Sequence, residues 1–211
     1  AFRFFLISIM PDGKDIIYDE ARLKGYQAFC NKIWNTARFI LMNTPDTYEL
    51  PKAAPKLSAI DEYVLRELDA AIAKCDAALE GFFFADYALA VYDFLWKTFC
   101  DQYIEMSKVA LKDDSMRDGA LYTLYTVFRA ALRLLHPVMP FITEEVWQRV
   151  AKLAGKAGAT IMREPYPKPE KNLIDPGAVE EMRWAMAVIT GVRNIRGEMD
   201  ISPGKPLPLL F

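Results

Sequence analysis

Histidine is all but missing from these 211 residues: His136 stands alone, in Leu135-His136-Pro137. No cysteine or carboxylate lies at ligand spacing from it, so a zinc site is not expected and His136 reads as a helix-end residue. Cysteine is sparse too. Cys30, Cys75 and Cys100 are odd in number, form no Cys-x-x-Cys pair and have no histidine near them. That argues against thiol nucleophilic catalysis. Each lies inside an apolar helical pattern, as reduced, buried thiols of a cytoplasmic protein do. No apolar run reaches membrane-spanning length and no signal peptide is visible, so no membrane partner is expected. Net charge is only −2, too small for the whole chain to steer nucleic acid; any such contact must be local. A phosphate loop is missing as well. Gly155-Lys156-Ala157-Gly158 lacks the Gly-Lys-Ser/Thr ending and follows no strand, which leaves a turn. Glu144-Glu145 opens a helix, where the helix dipole accounts for two carboxylates without acid–base chemistry.

What is present is apolar and helical. Apolar residues make up 53% of the chain, ample for one large domain or two small ones. Residues 1–10 read as a short apolar helix, Pro11-Asp12-Gly13 as a turn and Ile16-Ile17-Tyr18 as a short extended stretch. Long helices are expected over about 19–43, 58–80, 86–108 and 115–136, a shorter one over 143–153 and a last one over 178–199. Ser58 with Asp61 forms an N-terminal cap, Gly81 ends the helix that follows, and Thr143 caps the short helix. Residues 155–177 hold four prolines and three glycines and read as a connector. Ile201 to Phe211 reads as the first strand of a truncated subdomain. The expected fold is all-α, an antiparallel helical bundle with a Pro/Gly-rich connector and a final helix leading to that strand. Ala1 opens inside an apolar segment and Leu207–Phe211 stops mid-pattern, so both ends read as cut from a longer chain.

The segment with most to say is Phe29-Cys30-Asn31-Lys32-Ile33-Trp34-Asn35-Thr36-Ala37-Arg38-Phe39. At about 100° per residue, Leu23, Tyr26, Cys30, Ile33, Ala37 and Ile40 form a core-facing stripe. Lys24, Ala28, Asn31, Asn35, Arg38 and Met42 form a second, roughly 140° away by the same rotation. From Ala21 to Pro45 there are four basic residues, Arg22, Lys24, Lys32 and Arg38, and no acid in any position. One reading is a solvated helix face. The other is a face that reads unpaired bases, since a solvated face usually mixes Glu with Lys and this one offers asparagines, a guanidinium and aromatic area.

That same segment resembles the anticodon-binding helix of bacterial valyl-tRNA synthetases, a class I aminoacyl-tRNA synthetase family. Two further blocks resemble the family in the same order: Leu135-His136-Pro137-Val138-Met139-Pro140-Phe141-Ile142-Thr143-Glu144-Glu145-Val146-Trp147, and Val192-Arg193-Asn194-Ile195-Arg196-Gly197-Glu198-Met199-Asp200-Ile201-Ser202-Pro203-Gly204-Lys205. The middle block recurs in sister class I synthetases. One departure is Gln27-Ala28-Phe29, where many members carry Arg-Asn-Phe.

The resemblance implies an anticodon-binding bundle over 19–154, with 1–18 the end of a link to an upstream catalytic domain and 155–211 the connector, last helix and start of a C-terminal subdomain. Its partners would be the anticodon stem-loop of valine tRNA and that catalytic domain, and a monomer is expected. The parent would be an ATP- and Mg-dependent valine–tRNA ligase. This fragment holds neither ATP-site motif, no cofactor of its own and no catalytic residue; Met106-Ser107-Lys108 mimics part of one motif but ends a helix. The tRNA-binding candidates are Asn31 and Asn35 for an adenine edge, Arg38 for phosphate or stacking, Trp34 and Phe39 for stacking, Lys24 and Lys32 for phosphate, and Met42 and Asn43 at the helix end. Trp34 borders the apolar stripe and reads equally as a packing residue. Arg193 and Arg196 read as tRNA-stem contacts or as partners of Glu198 and neighbouring acids. Two alternatives compete: the matching domain of an isoleucyl- or leucyl-tRNA synthetase, and a helical scaffold that binds protein.

Overall fold

A computed structural model describes residues 1–10, 18–45, 47–153, 160–169, 176–202, 204–206 and 208. Helix α1 spans Phe2–Ser8, α2 Glu20–Asn43, α3 Ala59–Glu80 and α4 Phe84–Asp93. A π-helical stretch, Phe94–Tyr103, continues α4 without a break into α5, Ile104–Ala110. Then come α6, Asp114–Leu135, α7, Pro140–Leu153, a 3₁₀ turn at Ile161–Arg163, and α8, Pro176–Glu198. No strand occurs among the described residues. Pro11–Ile17, Gly155 and Gly158 lie outside the described residues.

Helices α2, α3 and α6 start where side chains satisfy their first N–H groups. The Asp19 carboxylate accepts from the Ala21 and Arg22 amides at 2.9 and 3.2 Å. At the head of α3 the Asp61 carboxylate accepts from the Ser58 amide at 2.9 Å and from its hydroxyl at 2.6 Å. Asp113 caps α6 through the Ser115 amide. The expected Thr143 cap is overturned. Helix α7 begins one turn earlier, at Pro140, where a missing N–H costs nothing. Thr143 is buried, donates to the Met139 carbonyl at 2.8 Å and bonds the His136 imidazole at 2.7 Å. Gly81 does end α3, but in a right-handed conformation; the left-handed residue is Phe82, at φ 59°. Gly81 is needed for space, since a Cβ there would meet the Phe83 ring at 2.5 Å.

The chain divides into two compact units, 1–173 and 174–211. In the first, α3 packs on α4 and α6, and α2 packs on α1, α7 and the π-helical stretch. The core is continuous from Phe4 through Phe29, Ile33 and Ile40 of α2 to Leu124, Phe128 and Leu135 of α6 and Trp147 of α7. Burying each such aromatic or aliphatic side chain contributes about 1.5–3 kcal/mol. The π-helical stretch follows its apolar pattern. Phe94, Leu95, Phe99, Cys100 and Tyr103 are buried in it, at spacings of four and five residues that an i→i+5 helix accommodates. The loop after α2 is held by Tyr48, stacked on Tyr125 with centroids 5.4 Å apart. The connector is anchored where the Glu144 carboxylate accepts from the Thr160 hydroxyl at 2.6 Å and the Ile161 amide at 3.2 Å.

In the second unit, the Arg196 guanidinium donates to the Ser202 and Lys205 carbonyls at 3.1 and 2.9 Å, closing a turn after α8. Of the segment expected to begin a strand, residues 201–202, 204–206 and 208 are described and form a turn and bend without sheet pairing; the rest lies outside the described residues.

Candidate nucleic-acid interface

Helix α2 has two environments, set by its sequence. Phe29, Ile33, Thr36, Ala37 and Ile40 are buried. Lys24, Ala28, Asn31, Asn35, Arg38 and Met42 are all exposed, as one stripe on successive turns. The polar face therefore exists as an outward surface. Phe29 and Thr36 extend the buried seam beyond the stripe read from the sequence, because α2 meets the π-helical stretch as well as α6 and α7.

On one side of this face runs a groove of about 470 Å³ between α2 and the π-helical stretch and α5. Asn31, Asn35, Lys32 and Phe39 form the α2 wall, with Asp101, Glu105 and Lys108 opposite. Thr36, Cys100 and Ile104 also line it, with the Thr36 hydroxyl 3.2 Å from the Cys100 sulfur. Burial pushes the Cys100 thiol up to about 11. The groove thus gathers four of the nine residues singled out from the sequence.

The others are placed differently. Trp34 is half-buried toward α7, with the Arg149 guanidinium 4.7 Å from its ring centroid. Its stacking partner is supplied from within the fold. The Asn43 amide folds back onto its own helix and donates to the Phe39 carbonyl at 2.7 Å. Met42 is exposed at the helix end. Lys24 pairs with Glu20 at 2.9 Å and Arg22 with Asp19 at 3.6 Å, both exposed pairs that contribute little to stability. Lys32 is ion-paired with Asp101 and sits 4.4 Å over the Trp96 ring. Arg38 alone of the candidate cations has no hydrogen bond or ion pair among the described residues.

Sequence reasoning missed the second wall. Glu105 and Lys108 pair at 2.7 and 2.8 Å, an i,i+3 relation legible in the sequence. Asp101 meets Lys32 across 69 residues of chain, a contact that only the packing of two helices creates. Ser107, in the apparent motif Met106-Ser107-Lys108, is buried and donates to the Ile104 carbonyl at 2.9 Å, as a helix-end residue does.

Chemically, the groove presents two amides, the Phe39 ring and two lysine–carboxylate pairs. A sequence profile of the family described as anticodon-binding domain of tRNA ligase matches residues 61–211. The chain belongs to that family.

The anticodon-binding domain is also similar to part of a solved structure, the agnB2 LeuRS of Agrobacterium radiobacter K84 in a ternary complex with tRNA and LeuAMS. The likeness has a TM-score of 0.55 at 19% identity, covers 84% of this chain and spans 20% of the LeuRS chain. At that identity it bears on the fold alone. The family match begins at Asp61, so α2 and its polar face stand outside it. No helix among the described residues is long and apolar enough to cross a membrane.

Proposed function

We propose that this anticodon-binding domain is the module of a class I valine–tRNA ligase that holds the anticodon stem-loop of valine tRNA, with its bases against the Asn31–Asn35 face of α2. The observation that carries the reading is the placement of those two asparagines: exposed, one turn apart, on the rim of a groove that also contains Phe39. An asparagine amide donates and accepts at once and matches an adenine edge bidentately, which discriminates by ~1–3 kcal/mol. Arg38, exposed on the same helix, would meet phosphate or a splayed base, and the Phe39 ring would stack on a base. Aminoacylation, with its ATP and Mg, would belong to an upstream domain of the same protein, since this chain holds neither of the family's ATP-site motifs.

Valine rather than leucine or isoleucine rests on the block around Asn31. A protein-binding scaffold is the reading favoured instead by three successive exposed rings, Phe82, Phe83 and Phe84.

The test is a fluorescence-anisotropy titration with the valine anticodon stem-loop and with a loop changed only at its middle base. Preference for the valine loop by about 5- to 150-fold is expected, with loss of preference in Asn31→Ala or Asn35→Ala and weaker binding of both loops in Arg38→Ala. Equal binding of the two loops would remove base reading from this face. Binding of neither would return the scaffold reading.

A further inference from the structure

The groove is lined by as many acids as lysines, which is unexpected for a surface that meets a polyanion. Lys32 and Lys108 are its cations; Asp101 and Glu105 are its anions. Each lysine is already matched. Lys108 donates to both Glu105 oxygens, an exposed pair. The Lys32 pair is deeper: the lysine side chain is 26% exposed and the Asp101 side chain 44%. The ammonium is held from a second direction by Trp96. That ring is itself fixed, stacked on Tyr92 with centroids 5.6 Å apart and packed on Phe29 at 6.0 Å. Lys32 therefore has a carboxylate beside it and an aromatic face beneath it.

We propose that Asp101 is a specificity-determining residue of this groove: by pairing Lys32 against Trp96, it denies the groove to RNA that offers only phosphate charge. The proposal rests on the RNA-binding reading above. An RNA whose bases fit Asn31 and Asn35 enters on hydrogen bonds and leaves the Lys32–Asp101 pair in place as wall. An RNA without matching bases gains affinity from sequence-tolerant stacking and from giving phosphates to cations with release of counterions. At Lys32 it must displace Asp101 or lie against its negative charge. Specificity is a difference of affinities, and lowering the wrong one serves as well as raising the right one.

Asp101→Asn keeps the size of the side chain and an acceptor for Lys32 while removing the charge. Its binding would be measured for oligo(U), an unrelated stem-loop and the valine stem-loop at several salt concentrations, with thermal unfolding as a check on the fold. Oligo(U) and the unrelated loop should tighten by about three- to tenfold at low salt, with the salt slope steeper by ~0.7, one phosphate contact on a single strand. The valine loop should stay within about twofold. Lys32→Gln added to Asp101→Asn should abolish the gain, which assigns it to that cation rather than to a rearranged groove. Unchanged binding of oligo(U) and the unrelated loop by Asp101→Asn would overturn the proposal. So would a valine loop weakened severalfold, which would make Asp101 a base contact. If the unsubstituted protein fails to prefer the valine loop, the anticodon reading falls, while the gain of oligo(U) binding still decides the role of Asp101.

Discussion

Replacing Asp61 with alanine should destabilise the bundle by about 3 kcal/mol. Asp61 is 1% exposed, yet it carries a carboxylate at the third position of α3. One oxygen accepts from the Ser58 amide and hydroxyl. The other accepts from the Tyr103 hydroxyl at 2.6 Å. Losing the cap costs about 1 kcal/mol. Losing a buried hydrogen bond to a charged group costs a further ~1.5–3 kcal/mol. The Tyr103 hydroxyl would be left with the Ala120 carbonyl, at 3.4 Å, and the neighbouring Thr123 hydroxyl. Relief from burying a charge offsets part of the sum. Urea unfolding followed by far-UV circular dichroism gives the number. A cycle with Tyr103→Phe separates the two halves: the hydroxyl–carboxylate pair should couple by ~1–2 kcal/mol, the range for residues in contact. A loss below about 1 kcal/mol, or additive single and double substitutions, would show that the carboxylate does not join α3 to the π-helical stretch.

Three further outcomes follow from the same geometry. Gly119→Ala should destabilise by ~1–3 kcal/mol, because a Cβ there would lie 2.6 Å from the Lys56 carbonyl oxygen; Gly25→Ala, with nothing within 4 Å, should instead stabilise α2 by up to ~1 kcal/mol in urea unfolding. Burial holds the His136 imidazole below its usual range, with Glu144 opposing. Because the folded state disfavours the proton, stability should be fully present above about pH 6.5 and fall as pH drops through the folded value; the single imidazole resonance in NMR reports that value directly, and a value above the usual range would refute the sign. Burial pushes Cys75 up to about 12 and Cys100 up to about 11, so one thiol, the half-buried Cys30, should react with a disulfide reagent at neutral pH and two only on unfolding.

The helices and the Ser58–Asp61 cap were legible because they depend on near neighbours. Ser58 with Asp61 announces a helix start by short-range chemistry. The exposed stripe of α2 was legible for the same reason: its period is that of one helix. Two kinds of feature were not. The first is competition between signals, as at Thr143, where a good cap residue was outbid by Pro140 and used its hydroxyl to join His136 to the Met139 carbonyl. The second is long-range pairing. Lys32 reads as a free cation because its partners Asp101 and Trp96 lie more than 60 residues on. Trp34 reads as a stacking platform until Arg149 is seen over it. The π-helical stretch lies between these cases. Its buried Leu95, Phe99 and Tyr103 stand four apart while Phe94, Phe99 and Ile104 stand five apart, so the pattern announces a helix without announcing its type.

The π-helical stretch also bears on which insertions and deletions this fold can absorb. Each residue of an i→i+5 helix turns the chain by less than the ~100° of an α-helix. Removing one residue from Phe94–Tyr103 lets the backbone tighten toward α-helical geometry, so that α5 keeps its bearing on α2. The same deletion in α6, already α-helical, has no slack to draw on and would swing every later core residue by about 100°. The residues that could absorb such a change are the ones from which Asp101 reaches Lys32.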